Sequence, residues 1–84
     1  QYLASPKPEA RIAELLHRLA DFYGTADASG AIGIGISLTH EQMAAMTGTT
    51  RVTVTRVLKR LRDQGVIQIK GRQLRILDLA RLMQ

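Results

Sequence analysis

Eighty-four residues allow one small domain, and a chain of this size buries only ~60–65% of its unfolded surface. The absence of cysteine excludes a disulfide framework and thiolate metal sites, and no apolar run approaches the ~20 residues that cross a bilayer. Twelve Lys and Arg against seven Asp and Glu leave a net charge of +5, which calls for a polyanionic partner. No signal peptide is visible, and the composition fits a reducing cytoplasm. The chain starts at Gln1 without an initiator Met, so it is expected to be a piece of a longer protein.

Residues 1–7, with Ser5 and Pro6 ahead of Pro8, read as a linker, and residues 8–84 as the domain itself. Pro8 suits the first turn of a helix, where its missing N–H costs nothing, and Glu9 favours the same positive end. Ile12, Leu15, Leu16, Leu19 and Phe22 then form one apolar stripe, which predicts a helix over 8–23. His17 lies beside the stripe and reads as a surface residue rather than a ligand. Residues 24–31 have the composition of a loop. Ile32, Ile34 and Ile36 alternate with Gly33 and Gly35, a period-two pattern that predicts a short strand. The Gly-x-Gly here lacks the third glycine and the following helix of a dinucleotide fingerprint.

The stretch Leu38 to Leu61 carries the functional signal. Thr39 is a good N-cap, with Gln42 three residues on to complete a capping box. Met43, Ala44 and Met46 supply an apolar face, and Gly48 ends the helix. Thr50 caps a second helix over about 50–63. Its apolar row is Val54, Val57, Leu58 and Leu61, the i, i+3, i+4, i+7 spacing. Arg51, Val52, Thr55, Arg56 and Lys59 fall together on the opposite side. A basic helical face alone is commonly just a solvated face, and the alternation of Thr53, Val54 and Thr55 favours a strand. Two caps, a small residue at the crossing, a turn glycine and a basic outward face in this order predict a helix-turn-helix.

Gly65 is a plausible helix stop. Val66, Ile67 and Ile69 form a strand, Lys70-Gly71-Arg72 a turn, and Leu74, Ile76 and Leu77 the returning strand. A hairpin directly behind a recognition helix is a wing. Its tip offers Lys70 and Arg72 to phosphates, although any such hairpin must also cover the core. Asp78 caps a last short helix from Leu79 to Met83. Residues 51–75 hold eight bases against one acid, Asp63. The fold class is therefore mainly α with a small β-hairpin, a winged helix-turn-helix.

At these residues the chain resembles the C-terminal domain of the CRP/FNR family of bacterial transcription regulators. The resemblance runs from Arg11-Ile12-Ala13 to the hairpin. Leu38-Thr39-His40 and the segment from Gly48 to Leu58 look most like the NtcA branch. The resemblance implies a preceding β-roll domain that takes a small-molecule effector, with no cofactor in the domain itself. It also implies a long dimerisation helix, a homodimer on palindromic double-stranded DNA, and contact with RNA polymerase. Arg56 is implied to read a guanine and Arg51 a base or nearby phosphate, while Thr39 and Thr53 sit on phosphates. Thr55 and Lys59, on the same face, are expected to join them as phosphate contacts. Val52 stands where CRP and FNR place a glutamate. NtcA-type proteins carry valine there, which favours a GTA…TAC site. The loop at 24–31 matches a polymerase-contacting loop in position but not in residues.

Two other classes stay in view. A winged helix can serve as a protein- or RNA-interaction module, but such a surface tends to expose aromatics, and the second helix has none. An enzyme is not expected, because there is no paired-carboxylate site, triad or metal cluster, and His17 and His40 lie on different elements.

Overall fold

The computed structural model describes residues 7–83. The linker expected over 1–7 therefore lies outside the described residues except for Lys7, the N-cap residue of the first helix. Helix α1 runs Pro8–Tyr23 and buries Ile12, Leu15, Leu16 and Leu19. Phe22 departs from the expected stripe and is 78% exposed. Its helix ends one residue later, and the chain turns away into a sheet.

That sheet begins earlier than the composition indicates. Residues 24–31 are not all loop: β1 (Gly24–Ala26) pairs antiparallel with β2 (Ile32–Ile34). All three β1 residues are exposed, so no alternation of apolar residues marked the strand. Gly24 is required at this corner. A Cβ there would collide with the carbonyl oxygen of Ala20 and lie 2.6 Å from Ile32 Cγ2. The strand predicted across Ile32 to Ile36 stops at Ile34, where its partner β1 gives way to helix α1, although Gly35 still donates to the Tyr23 carbonyl at 2.8 Å.

Helix α2 (His40–Thr47) and helix α3 (Arg51–Asp63) follow. Strands β3 (Ile67–Lys70) and β4 (Gln73–Ile76) form the wing hairpin. Strand β4 also pairs with β2, giving one four-stranded sheet in the order β1-β2-β4-β3. The predicted hairpin is thus half of a larger sheet. A short helix α4 (Leu79–Leu82) closes the fold, with the Asp78 side chain accepting from the Arg81 N–H. Leu77, expected in the returning strand, follows it and is 41% exposed.

The core sits where α1, α2 and α3 meet the sheet. Val54, Val57, Leu58 and Leu61 of α3 pack with Ile12, Leu16, Ile34, Met43 and Ile76. Each such side chain contributes about 1.5–3 kcal/mol when fully buried, so four of them bind α3 to the body with its other face outward. On α2 the buried set is Met43, Ala44 and Thr47, whereas Met46 is 57% exposed. The spacing 43, 44, 47 is the i, i+1, i+4 stripe, and Thr47 occupies it by donating its hydroxyl to the Met43 carbonyl at 2.7 Å. A hydroxyl satisfied in this way is tolerated in a helix interior.

Candidate nucleic-acid interface

Both caps of the helix-turn-helix form as the sequence predicts. Thr39 Oγ1 accepts from the Gln42 N–H at 3.0 Å, and the Gln42 side chain accepts from the Thr39 N–H at 2.8 Å. Thr50 Oγ1 accepts from the Thr53 N–H at 3.1 Å and donates to Thr53 Oγ1 at 3.0 Å. Gly48 adopts φ +69°, the left-handed conformation that a helix stop needs. Three residues, Gly48 to Thr50, therefore turn the chain from α2 into α3.

One part of this turn was not legible in the sequence. Arg11 on α1 donates from Nε to the Thr47 carbonyl at 2.7 Å and from Nη2 to the Gly48 carbonyl at 3.4 Å. A guanidinium there meets the negative end of the α2 dipole and satisfies carbonyls that the helix leaves open. It fixes α2, and with it the angle at which α3 is presented, to α1. No local pattern signals a contact spanning 36 positions.

The outward face of α3 carries Arg51, Val52, Thr55, Arg56 and Lys59, all exposed. Val52 is 70% exposed, so a bare valine stands among cations where no core demands it. Arg51 and Arg56 make no hydrogen bond or ion pair among the described residues. Lys59 is held by Asp63 at 2.8 Å. That pair also lowers the Asp63 carboxyl below its ordinary range, first through the hydrogen bond and then through the charge of Lys59. It leaves Arg56 without a competing acid. Thr53 is half-buried at the cap, and its hydroxyl accepts from Thr50, which leaves its own O–H to donate outward. The Thr39 hydroxyl likewise accepts from the backbone and retains its O–H.

Thr55 has a contact that the sequence did not signal. Its hydroxyl lies 2.7 Å from His40 Nδ1 on α2, so it already has a partner across the two helices. Across a cleft of about 450 Å³ from the N-terminus of α2 stands the wing. Ile36, Leu38, Ile69 and Leu74 line this cleft, with Thr39, His40 and Arg72 among the polar groups. Lys70 pairs with Gln73 at the end of the hairpin, and Gly71 and Arg72 form its tip. Ser37 Oγ donates to the Arg72 carbonyl at 3.3 Å and ties the tip to the segment before α2. Lys70 and Arg72 are both exposed.

Not every base in 51–75 joins this face. Arg75 on β4 is paired with Asp27 of the β1–β2 turn and donates to Gln68 at 2.6 Å. The Asp27 carboxyl is held at about 2, first by the Ser29 hydroxyl and then by Arg75. It stays ionised near neutrality and neutralises Arg75. Arg60 lines a different cleft, against α1 and α4. With these two set aside, the remaining bases are Arg51, Arg56, Lys59 and Arg62 on α3 and Lys70 and Arg72 on the wing. Among the described residues no group of three His, Cys, Asp or Glu could hold a metal ion. No helix among them is long and apolar enough to cross a membrane.

Comparison with known proteins agrees with this geometry. The Crp-like helix-turn-helix domain family matches residues 10–84. The transcriptional regulator LdrP of Thermus thermophilus is 37% identical over 81 residues, covering 96% of this chain and 40% of that protein. A CRP-like cAMP-activated global transcriptional regulator of Mycobacterium tuberculosis is 35% identical over 72 residues, 86% of this chain and 32% of its own length. Among solved structures, the CO-dependent transcription factor CooA of Carboxydothermus hydrogenoformans superposes with a TM-score of 0.80 at 32% identity. The match covers 90% of this chain and 35% of that one. The chain thus spans well under half the length of these relatives. With the fold and the matched residues in agreement, the chain belongs to the Crp-like helix-turn-helix family.

Proposed function

We propose that this domain binds double-stranded DNA in a sequence-specific manner as the reading head of a bacterial transcription regulator. The observation that carries this reading is the outward face of α3. Arg51, Val52 and Arg56 stand exposed together, and neither arginine has a protein partner among the described residues. An α-helix fits the B-DNA major groove, where base edges are distinguishable. In this reading Arg51, Val52 and Arg56 meet bases. Thr39, Thr53, Lys59, Lys70 and Arg72 meet phosphates, and Thr55 joins that backbone-facing set through its tie to His40. Further proposed features are a homodimer, a small-molecule effector on a preceding domain, contact with RNA polymerase and a cytoplasmic location. Two of the regulators named above are described as cAMP-activated and CO-dependent, which supports an effector outside this domain. The exposed pair Phe22 and Tyr23, at the end of α1 rather than on α3, supports a protein partner on a different face. Titrating the protein with a palindromic duplex, a random duplex and single-stranded RNA tests the reading. The palindrome should bind most tightly, and equal affinity for all three would reject it.

The wing has its own expected result. Lys70→Ala and Arg72→Ala should weaken binding without changing the preferred site, because phosphate contacts position the protein and carry no base information. Each lost contact should flatten the slope of log affinity against log salt by about one unit. A changed site preference in either variant would show that the wing reads bases.

Val52 supports an NtcA-like GTA…TAC half-site over the CRP type. Valine cannot hydrogen-bond a base, but it can touch the thymine methyl that an A·T pair displays in the major groove. A glutamate accepts from cytosine N4 and so selects a G·C pair. Val52→Glu should therefore move the preference at the third half-site position from A·T to G·C and nowhere else. Site selection from a random pool checks this, and an unchanged third position would show that Val52 is not a reader.

A further inference from the structure

We propose that His40 is a further contact to the nucleic-acid backbone, aimed by Thr55, and that it makes binding proton-linked. The inference rests on the duplex reading above. His40 is the first residue of α2, directly after Thr39, and its Nδ1 lies 2.7 Å from Thr55 Oγ1 on α3. This bond spans the two helices and fixes the ring. Nε2 has no protein partner among the described residues.

A hydroxyl both donates and accepts. Beside an anionic oxygen the neutral ring takes the tautomer protonated at Nε2, and the Thr55 O–H donates to Nδ1. With a charged ring, Nδ1–H donates to Thr55 Oγ1 and Nε2 still carries its proton. The His40–Thr55 bond therefore survives both states, and in both Nε2 offers an N–H to an anionic oxygen. Only the charge differs.

The charged groups around this position are Glu41 on α2, Arg51, Arg56 and the Asp63-paired Lys59 on α3, and Arg72 across the cleft. Cations predominate, which draws phosphates to this edge. A phosphate oxygen at Nε2 favours the imidazolium, so complex formation takes up a proton. Imidazole is the side chain whose charge ordinarily changes between about pH 5 and 8. Thr55 is then a positioning residue that acts on the backbone through the ring.

The test is duplex affinity of the 84-residue protein at about pH 8 and about pH 6, the span over which imidazole titrates. Affinity should rise several-fold on acidification, the direction expected when complex formation takes up a proton. His40→Gln keeps a polar side chain but cannot charge, and should flatten the profile. Thr55→Val removes only the aiming hydroxyl and should shrink the pH gain towards the His40→Gln result. The other imidazole, His17, pairs with Asp21 on α1, and His17→Gln should leave the profile intact. A proton NMR titration of the His40 ring needs no variant, and its midpoint should move upward when duplex is added. A purely structural His40 would lower affinity equally at both pH values in the glutamine variant. A flat wild-type profile with duplex binding intact would overturn this proposal alone. Loss of all duplex binding at both pH values would overturn the parent reading with it.

Discussion

Arg56→Ala should abolish specific recognition while leaving the domain folded. Arginine bonds guanine O6 and N7 together, and such a bidentate pair discriminates by about 1–3 kcal/mol. In the proposed homodimer the contact is made twice, so the loss doubles. Arg56 is suited to this role because nothing in the protein holds it. The one acid between 51 and 75, Asp63, is occupied by Lys59. Arg56 also flanks Val57 and Val54, whose burial fixes the helix under it, so the guanidinium leaves from a rigid base. If the arginine were merely a solvated surface residue, its removal would change little. Site selection with the alanine variant distinguishes the two: a retained guanine preference would show that Arg56 does not read the base.

The second large effect concerns valency. Helix α3 has 13 residues and is about 20 Å long at 1.5 Å per residue, enough for one segment of groove. Family-type palindromes present two half-sites one helical turn, about 34 Å, apart. A single copy should therefore bind weakly. Joining two copies through a parallel coiled coil ahead of Lys7 makes the second contact intramolecular and should raise affinity by about 10²–10⁴-fold. The gain should appear on a palindrome and not on an isolated half-site. An equal gain on both, or none on either, would argue against a two-helix reading of the site.

How much of this was visible in the chain follows from the range of each interaction. The caps at Thr39 and Thr50 and the stop at Gly48 involve neighbours within four residues, and each formed as predicted. The buried row of α3 also follows from periodicity alone. Strand β1 was missed because its residues are all exposed and only its backbone is engaged. Met46 and Thr47 exchanged places because the apolar count favoured methionine, while packing selected the residue on the buried side. Phe22 sits where α1 ends, and the stripe has nothing left to pack against. The contacts that shape the interface join distant parts of the chain: Arg11 to Thr47, His40 to Thr55, Asp27 to Arg75. Arg75 in particular looks like part of a basic run in the sequence, yet an acid 48 residues away removes it.

The claim that α3 and the wing tip form one nucleic-acid surface can be tested by backbone chemical-shift mapping of the 84-residue protein against a palindromic duplex. Shifts are expected in three stretches: Thr39 and His40, Thr50 to Lys59, and Lys70 to Arg72. Asp27, Arg75 and the exposed end of α1 at Phe22 should stay in place. Shifts concentrated on Phe22 to Ala26 with α3 unperturbed would contradict a recognition role for α3.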